Sequence, residues 1–246
     1  MKKEIFCKSL VIGILVILVG VGVYPAVADV SISQDSSSKY NELDAKAYLF
    51  QTVIDTLNNP SVKRLLDESN DDFQNDLIYN IDSRHKINGI LFENFGLFVS
   101  MLFTKPSISQ EYLDKVYENG VKLVNSIGTD EALDILESAQ LSDQELLDDL
   151  DEIIKNDEML SKQFLTLEEM NTFESDQSSW PFPLICTFLL INWLYLELFH
   201  VFLQTFCTIF DFIPFVSSIY SLISAILNPI ISIFSNLGGI VGCFWI

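Results

Sequence analysis

Three patterns of apolar and polar positions follow one another along the chain. Leu10 to Val23 is apolar throughout, relieved only by glycines. Over 40–170 apolar positions return every three or four residues among many charges. From Leu184 onward the chain is apolar almost without a break.

The middle pattern is that of amphipathic helices. Leu43, Ala47, Phe50, Ile54 and Leu57 place one apolar stripe on a first helix. Pro60 and Ser61 open a short second helix, since a first turn does not need the donor that proline lacks. Ile87 to Phe103 is apolar nearly all round, interrupted by Glu93 and Asn94 and flanked by Lys86 and Lys105. This predicts a buried central helix. Leu113, Val116, Tyr117, Val124 and Ile127 mark another helix, opened by Ser107 or Ser109 and loosened by Gly120. Thr129 is placed to cap the next, with Ala132, Ile135, Leu136 and Ala139 on one face. Ser142 with Glu145 makes a capping-box pattern, and Leu146, Leu147, Leu150, Ile153 and Ile154 then face inward. No strand-like alternation is present. The expected fold is all-α: an acidic extracytoplasmic helical bundle over 40–170, followed by a C-terminal transmembrane helical hairpin. About 130 residues suffice for one core without disulfides.

The last pattern predicts spans at about 183–210 and 213–235, after a polar linker at 171–182 that contains Trp180 and Pro181. Leu184 to Phe210 holds sixteen Leu, Ile, Val or Phe. At ~0.3–0.6 kcal/mol each these outweigh the ~2.5–3.5 kcal/mol that Glu197 costs near the centre. Asp211 and Pro214 separate the spans, and the second carries no charge. On a helical wheel Cys186, Trp193, Glu197, His200, Gln204, Cys207, Thr208 and Asp211 share a face about 100° wide. Ser217, Ser221, Ser224, Ala225, Asn228, Ser232 and Ser235 form a small, polar stripe on the second span. Small residues let membrane helices approach closely, and their hydroxyls and amides bond across the gap. The two stripes are expected to face each other, or copies in an oligomer.

Charge sharpens this division. The chain carries −20, and residues 29–180 hold 31 of its 34 acidic and 11 of its 14 basic residues. Such a block offers no footprint for nucleic-acid phosphates and is repelled by anionic headgroups. Lys2, Lys3 and Lys8 precede the first apolar run, Pro25 ends it, and Ala26-Val27-Ala28 is a small-x-small cleavage pattern. Fourteen residues reach ~21 Å, short of a ~30 Å hydrocarbon core. Residues 1–28 therefore read as a signal peptide and 29–39 as a flexible linker. The leader resembles those of secreted and surface proteins of some archaea, which implies an address and no activity.

Candidate chemistry is sparse. Asp148, Asp149, Asp151 and Glu152, like Asp71, Asp72, Asn75 and Asp76, lack the glycine and distal glutamate of an EF-hand loop and read as solvated surface. His85 lies in a basic triplet with Arg84 and Lys86, suited to a charged turn. Asn59-Pro60-Ser61 is spoiled as a glycosylation sequon by its proline. Glu197 and His200 have the Glu-x-x-His spacing of a metal half-site, but one pair does not make a dinuclear centre, and their mutual pairing is the expected role. If the hairpin turns near Phe212, Cys186 comes level with residue 239, so a Cys186–Cys243 disulfide is expected at the oxidising side.

The expected function is that of an exported, membrane-anchored surface or envelope protein with a binding or structural role. It needs no cofactor, contacts membrane lipid, and has a protein partner or a second copy along the C-terminal helices. The alternatives are a membrane-embedded enzyme or metal protein using Glu197 and His200, and a subunit of an oligomeric complex or pore.

Overall fold

The structure is a computed structural model that describes residues 42–69, 87–91, 108–139, 144–171, 182–210 and 216–243. Among these residues the fold is all-α, without a strand. The helices are α1 (Glu42–Asn58), α2 (Pro60–Ser69), α3 (Gln110–Ile127), α4 (Thr129–Ser138), α5 (Gln144–Asn156), α6 (Glu158–Asn171), α7 (Leu184–Ile209) and α8 (Val216–Ile240). A further helical stretch covers 87–91. Residues 1–28, expected to be a signal peptide, the expected 29–39 linker, the Asp71–Asp76 cluster, His85, residues 92–103, Ser142, Trp180 and Asp211 lie outside the described residues.

Helix α1 buries Ala45, Leu49, Phe50, Thr52, Val53, Thr56 and Leu57, while Leu43 is 61% exposed. Its buried face is thus rotated from the stripe that the apolar residues mark, because α1 touches α2, α3, α6, α7 and α8 and is packed on several sides. Thr52 and Thr56 enter the core at little cost. Each hydroxyl donates to the carbonyl four residues back, at 3.0 and 2.8 Å.

Helix starts are fixed by side chains. Asn59 Oδ1 accepts from the Ser61 and Val62 amides at the head of α2. Asp157 Oδ1 does the same for Met159 and Leu160 of α6, and Asn59 Nδ2 donates to Asp157 Oδ2 at 3.0 Å. One hydrogen bond therefore ties two helix N-termini together. Ser109 Oγ accepts from Tyr112 N and caps α3. Thr129 does not cap α4: it lies inside the first turn, and Gly128 holds the cap position at φ 95 with no side chain to contribute. A chain reversal at positive φ requires glycine there.

Apolar residues of these helices share one hydrophobic cluster. Leu113, Val116, Leu123 and Val124 of α3, Ala132, Ile135 and Leu136 of α4, Leu146, Leu150 and Ile154 of α5, and Leu160, Phe164, Leu167 and Met170 of α6 are all buried. So are Ile87 and Leu91. The centre is α7, which is buried at every residue from Ile185 to Phe199 and is flanked by α1, α3, α6 and α8. Helix α8 lies antiparallel beside it and also meets α1 and α5. Residues from both sides of the 171–182 composition boundary share one hydrophobic cluster.

Candidate functional site

The α7–α8 hairpin divides into a sheathed base and a partly covered distal end. Leu184–Ile209 and Val216–Ile240 are both long and apolar enough to cross a membrane. At ~1.5 Å per residue they reach ~39 and ~37 Å, against ~30 Å of hydrocarbon. Beyond His200 the cover thins: Leu203 is still buried and Phe202, Phe206 and Phe210 are half-buried, while Gln204, Thr205 and Thr208 are exposed. Ile209 is 63% exposed and Leu222, across the hairpin, is 50% exposed. Phe202, Phe206 and Phe210 form a ladder along this end, with ring centroids 6.3 and 4.5 Å apart. The polar side chains there are partly self-satisfied. Thr205 donates to Val201 O and Thr208 to Gln204 O, so neither hydroxyl needs water.

At the opposite end the base is closed covalently. Cys186 and Cys243 form a disulfide with Cα atoms 5.7 Å apart, and both are buried. Helix α8 continues through Gly238 and Gly239 to Ile240, and a turn at Gly242 (φ 74) brings Cys243 back to Cys186. Asn171, the last residue of α6, clasps both sides. Its Nδ2 donates to Val241 O and Cys186 Sγ, each at 3.3 Å, and its Oδ1 accepts from Cys186 N at 3.4 Å. Cys207, in the distal half, is the free thiol among the described cysteines.

Along the seam, His200 Nε2 lies 3.2 Å from Tyr220 Oη, with the two rings stacked. His200 thus bonds across the hairpin. Glu197, 3% exposed, has no hydrogen-bond or ion-pair partner among the described residues. The two side chains are not brought together as a pair, and no group of three metal-ligating side chains occurs among the described residues. Trp193 Nε1, Ser224 Oγ and Asn228 Oδ1 are buried without a partner, as are Asn192 Oδ1 and Asn236 Oδ1. Each such group costs about 1–3 kcal/mol. The serine stripe of α8 is split by this arrangement. Ser217 and Ser221 are exposed at the distal end, whereas Ser235 is buried and donates to Ser232 O. Asn236 Nδ2 also donates to Ser232 O.

The sheath meets α7 most closely at Gly120 of α3. A Cβ placed there would stand 2.6 Å from Ile191 Cγ2 and 2.8 Å from Ile191 O. Three residues earlier Tyr117 packs edge-on against Phe188 at 5.1 Å and against Phe50 at 6.5 Å. Lys46 sits over the Tyr117 ring and pairs with Asp114 at 2.9 Å, joining α1 to α3. Burial, with the Glu42 carboxylate nearby, pushes the Tyr117 phenol up to about 12, so it stays neutral. The acidic run on α5 points to solvent: Gln144 donates to Asp148, and Lys155 pairs with Asp151. Nothing among these residues assembles a nucleophile with a base. The chain matches no protein-family model, no curated protein and no solved structure.

Proposed function

We propose that this chain is an exported, membrane-anchored helical protein with a binding or structural role, and that the α7–α8 hairpin is its anchor. One observation carries the reading: two helices long and apolar enough to cross a membrane run on beyond His200 into an aromatic-rich end that is only partly covered, with Phe202, Phe206 and Phe210 half-buried and Ile209 and Leu222 exposed. The ten residues from 200 to 209 reach ~15 Å, enough to enter one leaflet. The acidic helices stay on the leader's side of the membrane, outside the cytoplasm, and contribute solubility and a surface for partners. The lipid surface it favours is zwitterionic, because the −20 charge opposes approach to anionic headgroups.

Membrane fractionation of cells expressing the full chain tests this, combined with N-terminal sequencing of the mature protein. The expected result is a protein beginning at Asp29 that sediments with membranes and resists alkaline extraction. A soluble protein, or one retaining residues 1–28, would refute the anchor or the export, respectively.

A further inference from the structure

Resting on the anchor reading, we infer that this structure is the closed form of a two-state protein: on a zwitterionic bilayer the α7–α8 hairpin leaves its helical sheath and crosses the membrane whole. Five observations converge on this. Both helices exceed the hydrocarbon thickness, yet in the closed form α7 is buried at every residue from Ile185 to Phe199 and only partly uncovered beyond His200. The sequence between the two helices contains Asp211. Insertion of the distal end alone would leave that carboxylate near the bilayer midplane, where charge is most costly, whereas a full crossing delivers it to water on the far side.

The connectivity permits the exchange. Every sheath helix lies N-terminal to the hairpin, joined to it through residues 172–181, and the Cys186–Cys243 disulfide closes the hairpin on itself. The sheath therefore leaves without threading, and the hairpin stays intact. The released helices also have a destination. Helices α3 and α5 each carry an apolar stripe beside a charged face, the pattern that lies in a membrane interface. Finally, closure is not tightly matched in polar groups, since Trp193, Asn192, Ser224, Asn228 and Asn236 each leave a buried polar atom unpaired.

The test uses the full mature chain with Trp180→Phe and Trp245→Phe, so that Trp193 is its single tryptophan, and phosphatidylcholine vesicles with brominated acyl chains. An environment-sensitive fluorophore on Cys207 reports entry of the distal end, and bromine quenching reports lipid at Trp193. We expect both signals. A Cys207 response without Trp193 quenching would overturn the crossing and leave the anchor reading standing, and neither response would overturn both. Gly120→Ala provides the second arm by weakening the α3–α7 contact. It is expected to speed Trp193 quenching about fivefold, the factor that ~1 kcal/mol provides, with the Cys207 response unchanged. Equal quenching rates in the two proteins would overturn opening at that contact.

Discussion

Substituting alanine at two glycines separates helix propensity from helix packing within one protein. Gly120 and Gly89 both lie in helical backbone, where alanine is preferred over glycine by ~0.8–1.0 kcal/mol. At Gly89 the added Cβ meets nothing within 4 Å, so that preference is realised almost in full. At Gly120 it meets Ile191 Cγ2 at 2.6 Å and Ile191 O at 2.8 Å. The methyl can be moved by rotating a side chain, but the carbonyl belongs to the central helix and moves only if α3 backs away. Overpacking of this kind costs about 1–3 kcal/mol. Set against the propensity gain, Gly120→Ala destabilises by roughly 0–2 kcal/mol, and the two variants differ by about 1–3 kcal/mol in total. Urea unfolding followed by far-ultraviolet circular dichroism reads this as midpoints shifted in opposite directions at unchanged slope. A stabilised Gly120→Ala, by as much as Gly89→Ala, would show that α3 does not approach α7 as described.

Removing the disulfide with Cys186→Ser and Cys243→Ser frees a loop of 57 residues, and loop entropy then predicts a loss of about 4 kcal/mol. A thermal midpoint unchanged by this pair would reject the clasp. Asp157→Ala removes the α6 cap and the bond from Asn59, and should cost about 1–2 kcal/mol in urea unfolding. A loss no larger than that of an exposed-site alanine would count against the coupled helix starts. Glu197→Leu replaces a buried carboxyl without a partner and should stabilise the closed form by about 1–3 kcal/mol. Destabilisation would mean that the carboxyl is held by a group outside the described residues.

Much of the architecture is legible in the sequence, for identifiable reasons. Helix positions follow from the spacing of residues such as Leu113, Val116 and Val124, and from turn residues such as Pro60 and Ser109. The two long apolar helices follow from the apolar runs, although α8 continues to Ile240, five residues past the expected end at 235. Which face of α1 is buried is not legible, because a helix packed on several sides has no single stripe, and threonines that bond to their own backbone look polar in the sequence. The cap of α4 is misplaced for a related reason: Thr129 has the right side chain, but Gly128 has the backbone freedom the reversal needs. The stripes on the hairpin are visible as residue types, yet their partners are not. His200 meets Tyr220, an aromatic outside the serine stripe, and leaves Glu197 without it.

The deepest ambiguity concerns α7, and it has a physical cause. A helix that is apolar all round is buried, but hydropathy does not record whether protein or lipid surrounds it. The information lies instead in the acidic block. Helices α3 and α5 each carry an apolar stripe that must be covered, and the hairpin covers both, α7 packing against α3 and α8 against α5. The need is reciprocal, since α7 from Ile185 to Phe199 has no face that tolerates water. The same stripes are equally satisfied by a membrane interface, and the same α7 by a bilayer core. One sequence therefore encodes two consistent ways of hiding the same apolar surface. On the two-state reading proposed above, weak polar matching along the hairpin and close contact at Gly120 set how readily one gives way to the other.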